Sequence, residues 1–290
     1  MRLVNGWLPP LDSGQLESFP LAAMLSFMSI TALLLDLDDT LIVEEPLAER
    51  AFLIAGELAR EAHGVDPLKL HAAVRKRCRE VWYSHPAHDY AEEIGISSWE
   101  GMWGDLSGDN PRLVQLREWA PQYRLQSWKY ALADFGVKDD QLAAQLVAGF
   151  IAARRNQHEL MPGAIELLDR LRASYARLIM ISNGAPGIQR FKLEGSGLGS
   201  YFDDVVISGE VGVRKPDPRI FGIALQRAGT SCREAVMIGN SLKSDITGAA
   251  NAEITSVWLE NECEDRSAYP APDYIVKELS EIPALLSAIA

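Results

Sequence analysis

The chain has 290 residues, 48% hydrophobic and 23% charged, enough apolar material for one large domain or for a core with a smaller companion. Its 28 Lys and Arg against 40 Asp and Glu leave a net charge of −12, with no basic stripe of the kind a nucleic-acid polymer needs. An anionic ligand must therefore be captured locally, against the overall field.

Residues 1–28 read as an N-terminal arm foreign to the rest, with the adjacent prolines Pro9 and Pro10, turn residues throughout and no sustained period. Met24 and Met28 sit just ahead of the first strand and are alternative starts. Residues 21–35 are as apolar as a signal-peptide core. They are too short to span a bilayer and run into Asp36 with no cleavage site, so no membrane is expected and their second half reads as a buried strand. Further short apolar runs follow at 178–182, 205–208, 235–239 and 256–259, with a weaker one at 274–276, after a first at 32–37. Continuous rather than alternating hydrophobicity marks strands buried on both faces, and the stretches between them have helical spacing. The expected fold is α/β, a Rossmann-like, doubly wound parallel sheet.

One interval breaks the alternation. Ser182 lies 146 positions beyond Asp36, where a crossover needs a few dozen, and the intervening residues carry helical patterns at 47–60, 67–82 and 141–155. Residues 46–158 are expected to form a helical subdomain inserted into an α/β domain made of 29–45 and 159–290. Five tryptophans fall in the insertion: Trp82, Trp99, Trp103, Trp119 and Trp128. Core packing accounts for most of them, and Trp99 and Trp103 are placed best to reach a ligand. His85 and His88 have no partner at metal-ligand spacing, and 195–199 (GSGLG) reads as a glycine-rich helix end. Cys78, Cys232 and Cys263 are an odd number without ligand spacing, so no disulfide framework or zinc site is expected and a reducing cytoplasm fits.

In an open parallel sheet, ligands bind beyond the carboxyl ends of the strands. Asp36 and Asp38 close the first run, Ser182, Asn183 and Gly184 the second; Lys215 follows the third, and Asn240, Ser241 and Asp245 follow the fourth. Each alone is an ordinary turn or cap residue. At four strand ends in succession they converge on one sheet edge.

Four segments carry a resemblance: LLLDLDDTL at 33–41, ISNG at 181–184, VRKPDP at 213–218 and IGNSLKSDI at 238–246. In this order they resemble the four motifs of the haloacid dehalogenase superfamily, over residues 31 to 280. The resemblance implies a phosphatase acting on small phosphomonoesters (a sugar phosphate, a nucleoside monophosphate or a similar metabolite) through an aspartyl-phosphate intermediate. Asp36 is then the nucleophile and Asp38 the general acid and base. Thr40, Ser182, Asn183 and Gly184 bind the phosphoryl group, and Lys215 offsets its charge. Mg2+ is held by Asp36, the Asp38 carbonyl, Asn240 and Asp245, an all-oxygen set. An acid at position 38 separates phosphatases from the family's dehalogenases, which need no leaving-group proton. Only 32 residues lie between Ser182 and Lys215, too few for the family's α/β cap, so the helical cap is expected to close over the site. Asn240 departs from the family's usual Asp, and weaker metal binding is expected there. The same motifs admit a phosphomutase, or a non-catalytic binding protein, and either a monomer or a homodimer.

Overall fold

A computed structural model describes residues 30–174, 177–261 and 265–290. The proposed arm at 1–28 and Cys263 lie outside these residues; Cys78 and Cys232 are both free thiols. In chain order the elements are β1 (Ala32–Leu35), α1 (Glu45–His63), α2 (Pro67–Trp82), α3 (His88–Ile94), α4 (Ser98–Gly101), α5 (Pro111–Ala133), α6 (Asp140–Arg155) and α7 (Ala164–Ala173). There follow β2 (Arg177–Ser182), α8 (Pro186–Gly195), β3 (Asp204–Ile207), α9 (Ser208–Val211), α10 (Pro218–Ala228), β4 (Ala235–Gly239), α11 (Thr247–Asn251), β5 (Thr255–Leu259), β6 (Tyr274–Val276) and α12 (Ile282–Ile289).

The six strands form one all-parallel sheet in the order β3-β2-β1-β4-β5-β6. Chain order reverses at β1, which pairs with β2 on one side and β4 on the other, and a ligand crevice opens at such a reversal. Alternation along β1 divides the core. Leu33 and Leu35 pack in the layer with α7 and α12, while Leu34 packs on the opposite face with Ile220 and Phe221 of α10. The strand is two residues shorter than its apolar run. After Asp36 the chain folds back, with the amides of Thr40, Leu41 and Ile42 all donating to the Leu37 carbonyl.

Helices α1 to α6 occupy the long interval between β1 and α7. They have their own apolar core, built from Phe52 stacked on Phe150 at 4.0 Å and from the buried Trp82, Trp103 and Trp128. Two residues beyond the insertion, Ala185 and Ile188 at the start of α8, belong to that same cluster. Gly104 seats Ile188: a Cβ there would lie 2.3 Å from its Cδ1. Among the described residues no helix is long and apolar enough to cross a membrane.

Candidate active site

The site stands at the carboxyl end of β1. The Asp36 amide donates to the Ile238 carbonyl at 3.0 Å, extending the β1–β4 ladder by one bond and fixing the backbone of Asp36. Its carboxylate is nearly buried, and the Lys215 ammonium holds Oδ1 at 2.6 Å. Lys215 also reaches Asp245 Oδ1 at 2.7 Å and donates to the Ile181 carbonyl at 2.8 Å. Burial pushes the Asp36 carboxyl up to about 7, against the pull of Lys215, with Asp245 and Asp38 adding to the rise. Burial alone would lower the Lys215 ammonium, but Asp245 and Asp36 outweigh it and hold it above its usual range.

A cavity of about 230 Å³ opens over these groups. On the core side it is lined by Asp36, Asp38, Ser182, Asn183, Lys215 and Asn240; from the insertion and its approach come Glu44, Trp99 and Glu100. The four strand ends named from the sequence thus meet at one place. Asn183 joins two of them, its Nδ2 donating to the Lys215 carbonyl (3.0 Å) while its Oδ1 accepts from the Lys215 amide (2.8 Å). Of the two tryptophans expected near a ligand, Trp99 lines the cavity, whereas Trp103 is buried beneath the Arg154 guanidinium.

Three expected contact residues stand elsewhere. Thr40 is fully buried and does not line the cavity. Its hydroxyl lies 3.0 Å from Asp36 Oδ2 and 3.2 Å from Asn240 Oδ1 and accepts from the Asn240 amide. The Gly184 amide was expected to cradle phosphate, yet it donates to the Ile94 carbonyl and to Ser208 Oγ and is absent from the lining. Glycine is needed there for another reason: φ is 139°, and a Cβ would crowd the Gln189 side chain at 3.2 Å. Asp245 lies behind the cavity, its Oδ2 accepting from the Ser241 amide at 3.0 Å. It reaches that place because Gly239 has no Cβ, which would stand 2.3 Å from Oδ2. The segment Leu242–Ile246 is a π-helical turn, with the Ser241 hydroxyl accepting from the Ser244 amide.

The donor set suits a hard divalent cation. Asp36 Oδ2 and Asn240 Oδ1 converge on one hydroxyl, both residues line the cavity, and all the atoms offered are oxygens. Among the described residues no three His, Cys, Asp or Glu form a metal cage of their own. The fit is therefore to an ion that takes a carboxylate and an amide oxygen and completes its shell with water. His85 stacks on Trp119 at 4.3 Å instead of facing a ligand.

A second charged cluster escaped the sequence reading. Lys192, on α8 and 1% exposed, places its ammonium 3.0 Å from Asp38 Oδ1, 3.1 Å from Glu100 Oε1 and 3.2 Å from Glu44 Oε1. Burial pushes the Glu44 carboxyl up to about 7, against the attraction of Lys192 and Arg154. Gln189, one turn earlier, donates to Asp38 Oδ2 at 2.8 Å and to Ser182 Oγ at 2.6 Å. The available signal was their position: Gln189 and Lys192 share the buried face of α8 with Ile188 and Leu193. Asp39 was also passed over. It stands in the left-handed region at φ 54° and accepts the amide of Glu44 at 2.8 Å, turning the chain into α1.

Known proteins match most of this chain. The profile of the haloacid dehalogenase-like hydrolases matches residues 30–253. A phosphoserine phosphatase of Thermus thermophilus is 37% identical over 250 residues, spanning 86% of this chain and 96% of that one. The pyrimidine 5'-nucleotidase YjjG of Escherichia coli is 39% identical over 201 residues, 69% of this chain and 83% of that one. Among solved structures, the HAD hydrolase YfnB of Bacillus subtilis, crystallised with magnesium, superposes with a TM-score of 0.58 at 23% identity, covering 89% of this chain and 99% of that one.

Proposed function

We propose, for a chain that belongs to the haloacid dehalogenase-like hydrolases and to their phosphatase branch, that phosphomonoester hydrolysis runs in two steps through a phosphorylated Asp36. The observation that carries this is Asp36 itself: a nearly buried carboxylate at the end of the central strand, paired with Lys215 and open to a small cavity. In the first step an Asp36 oxygen attacks phosphorus, the bond to the leaving oxygen breaks, and Asp38 gives that oxygen its proton. In the second, water attacks phosphorus and loses its proton to Asp38. The bond to Asp36 breaks and orthophosphate leaves, with both carboxyl groups restored.

Lys215 stays fixed between Asp36 and Asp245 and offsets the negative charge that gathers on the phosphoryl oxygens. Ser182 and Asn183 lie along the cavity wall where those oxygens would rest, and Gln189 holds Ser182 in place. Asp36, Asn240 and the Asp38 carbonyl would hold Mg2+, with Asp245 supporting them from behind; when bound, the ion supplies charge neutralisation for the phosphoryl group. Residues 46–158 act as the cap, presenting Trp99 and Glu100 to the leaving group. The free thiols Cys78 and Cys232 fit a cytoplasmic setting.

A cavity of this size admits a small metabolite and no polymer. Phosphoserine and pyrimidine nucleotides, named by the two relatives, head the candidate substrates, followed by sugar phosphates. The test is phosphate release from such a panel with and without magnesium, for the native chain and for Asp36→Asn. The amide is nearly isosteric but a poor nucleophile, so the folded variant should lose turnover with every substrate. Unchanged turnover refutes the mechanism, and transfer of the phosphoryl group to a second position of the substrate would identify a mutase.

A further inference from the structure

Lys192 joins three carboxylates that come from different parts of the chain. Asp38 belongs to the turn after β1, Glu44 to the crossing into the insertion, and Glu100 to α4 within it. The remaining oxygens of the two glutamates are also engaged. Glu100 Oε2 accepts from the amide and hydroxyl of Ser97 at 3.0 and 2.9 Å, and Glu44 Oε2 is paired with the buried Arg154. Arg154 in turn lies over the Trp103 ring at 4.4 Å. Of the three carboxylates on the ammonium, Asp38 is the most exposed, at 26% against 4% and 8% for Glu44 and Glu100. The ammonium is thus anchored by two fixed acids, Glu44 before the insertion and Glu100 within it, and its remaining reach falls on a carboxylate that faces the cavity.

We propose that Lys192 is a positioning residue for phosphoryl transfer. It holds the Asp38 carboxyl in place over the cavity, and it does so only while Glu100 is seated against it, so that proton delivery is tied to the docking of the insertion. This rests on the reading of Asp38 as the group that protonates the leaving oxygen. Gln189 does not make the same link: it engages one Asp38 oxygen, and its amide nitrogen otherwise donates to Ser182 Oγ and the Asn183 carbonyl, both at the end of β2. A carboxyl displaced by an ångström or so loses roughly 100-fold in rate. The loss should appear only where the leaving oxygen needs a proton.

The experiment measures kcat and KM for aryl phosphates of graded leaving-group basicity, from p-nitrophenyl to phenyl phosphate, and for an alkyl phosphate. It uses the full chain at saturating magnesium. Lys192→Met should lose roughly 100-fold in kcat with the alkyl phosphate and under about tenfold with p-nitrophenyl phosphate, with KM little changed. An equal loss across the series, or none, overturns the proposal. Should Lys192→Met fail to fold, Glu100→Gln keeps an acceptor for the ammonium and removes one charge, and it should steepen the same dependence by a few-fold; a flat response there is equally fatal. Asp38→Asn is measured alongside. If it does not steepen the dependence, Asp38 is not the acid and both readings fall. If it does while Lys192→Met and Glu100→Gln do not, the positioning role alone is refuted.

Discussion

Replacing Asn240 by Asp tests the metal reading at its weakest member. The Asn240 side chain lines the cavity and shares the Thr40 hydroxyl with Asp36, so the variant places a second carboxylate beside the first without moving the backbone. That backbone is well fixed, the Asn240 carbonyl accepting from Trp258 Nε1 and Asn261 Nδ2, each at 2.8 Å. One additional unit charge about 4 Å from a cation is worth about 4 kcal/mol at an effective dielectric of 20 and about 1 kcal/mol in bulk water. The half-exposed position and water in the ion's shell bring the gain toward the lower figure, about 1.4 kcal/mol, or a tenfold tighter magnesium constant. The cost falls on the metal-free protein: burial and Asp245 already drive the Asp36 carboxyl upward, and a new neighbour of like charge drives it further. The variant should therefore melt lower than the native chain without magnesium and gain more on its addition. Titrating magnesium against rate and against melting temperature gives two independent constants, and measuring KM separates repulsion of the phosphate from metal affinity. If both constants equal those of the native chain, residue 240 does not hold the ion.

Three further outcomes follow from the same geometry. Lys215→Met removes the ammonium shared by Asp36 and Asp245, and it should cost about 3–5 kcal/mol in a denaturant melt, together with at least about 100-fold in kcat; an unchanged melting midpoint contradicts it. Asp36 attacks only when ionised, which at limiting magnesium requires a pH above about 7, so the acid limb of kcat/KM should centre there and move to lower pH as magnesium saturates. A limb that ignores the metal would mean that proton and ion do not compete for this carboxylate. Trp99→Ala should raise KM for ring-bearing substrates about three- to tenfold with little change in melting temperature, whereas Trp128→Ala, fully buried beside Phe150, should cost about 3–5 kcal/mol of stability; the reverse pattern would exchange their roles.

The sheet was legible because strands covered on both faces need unbroken apolar runs, and β4 and β6 begin and end where their runs do. Asp36, Asp38, Ser182, Asn183, Lys215 and Asn240 were legible because the carboxyl ends of neighbouring parallel strands bring distant polar residues to one edge, outside the apolar core. Three of the expected residues do not line the cavity, for one reason. Thr40, Gly184 and Asp245 sit in the right motifs, but spacing cannot tell a group that faces the cavity from one that supports it from behind. Lys192 and Glu100 were invisible for the opposite reason. A lysine late in a helix and a glutamate three residues after Ser97 are ordinary helix-end residues, and Glu100 does complete that capping box. Their second role depends on an approach across 92 residues of chain, which no local pattern encodes.

The placement of Ala185 and Ile188 in the apolar cluster of the insertion has a thermodynamic consequence. Helix α8 begins inside one hydrophobic core and ends, at Leu193, inside the other. Unfolding the helical block would strip water-excluded contacts from the first turn of α8, the helix that also carries Gln189 and Lys192 into the site. The two bodies therefore share a structural member, and neither can loosen fully without raising the free energy of the other. Heat or denaturant should meet one cooperative unit, in which the order of the site and that of the helical block are lost together.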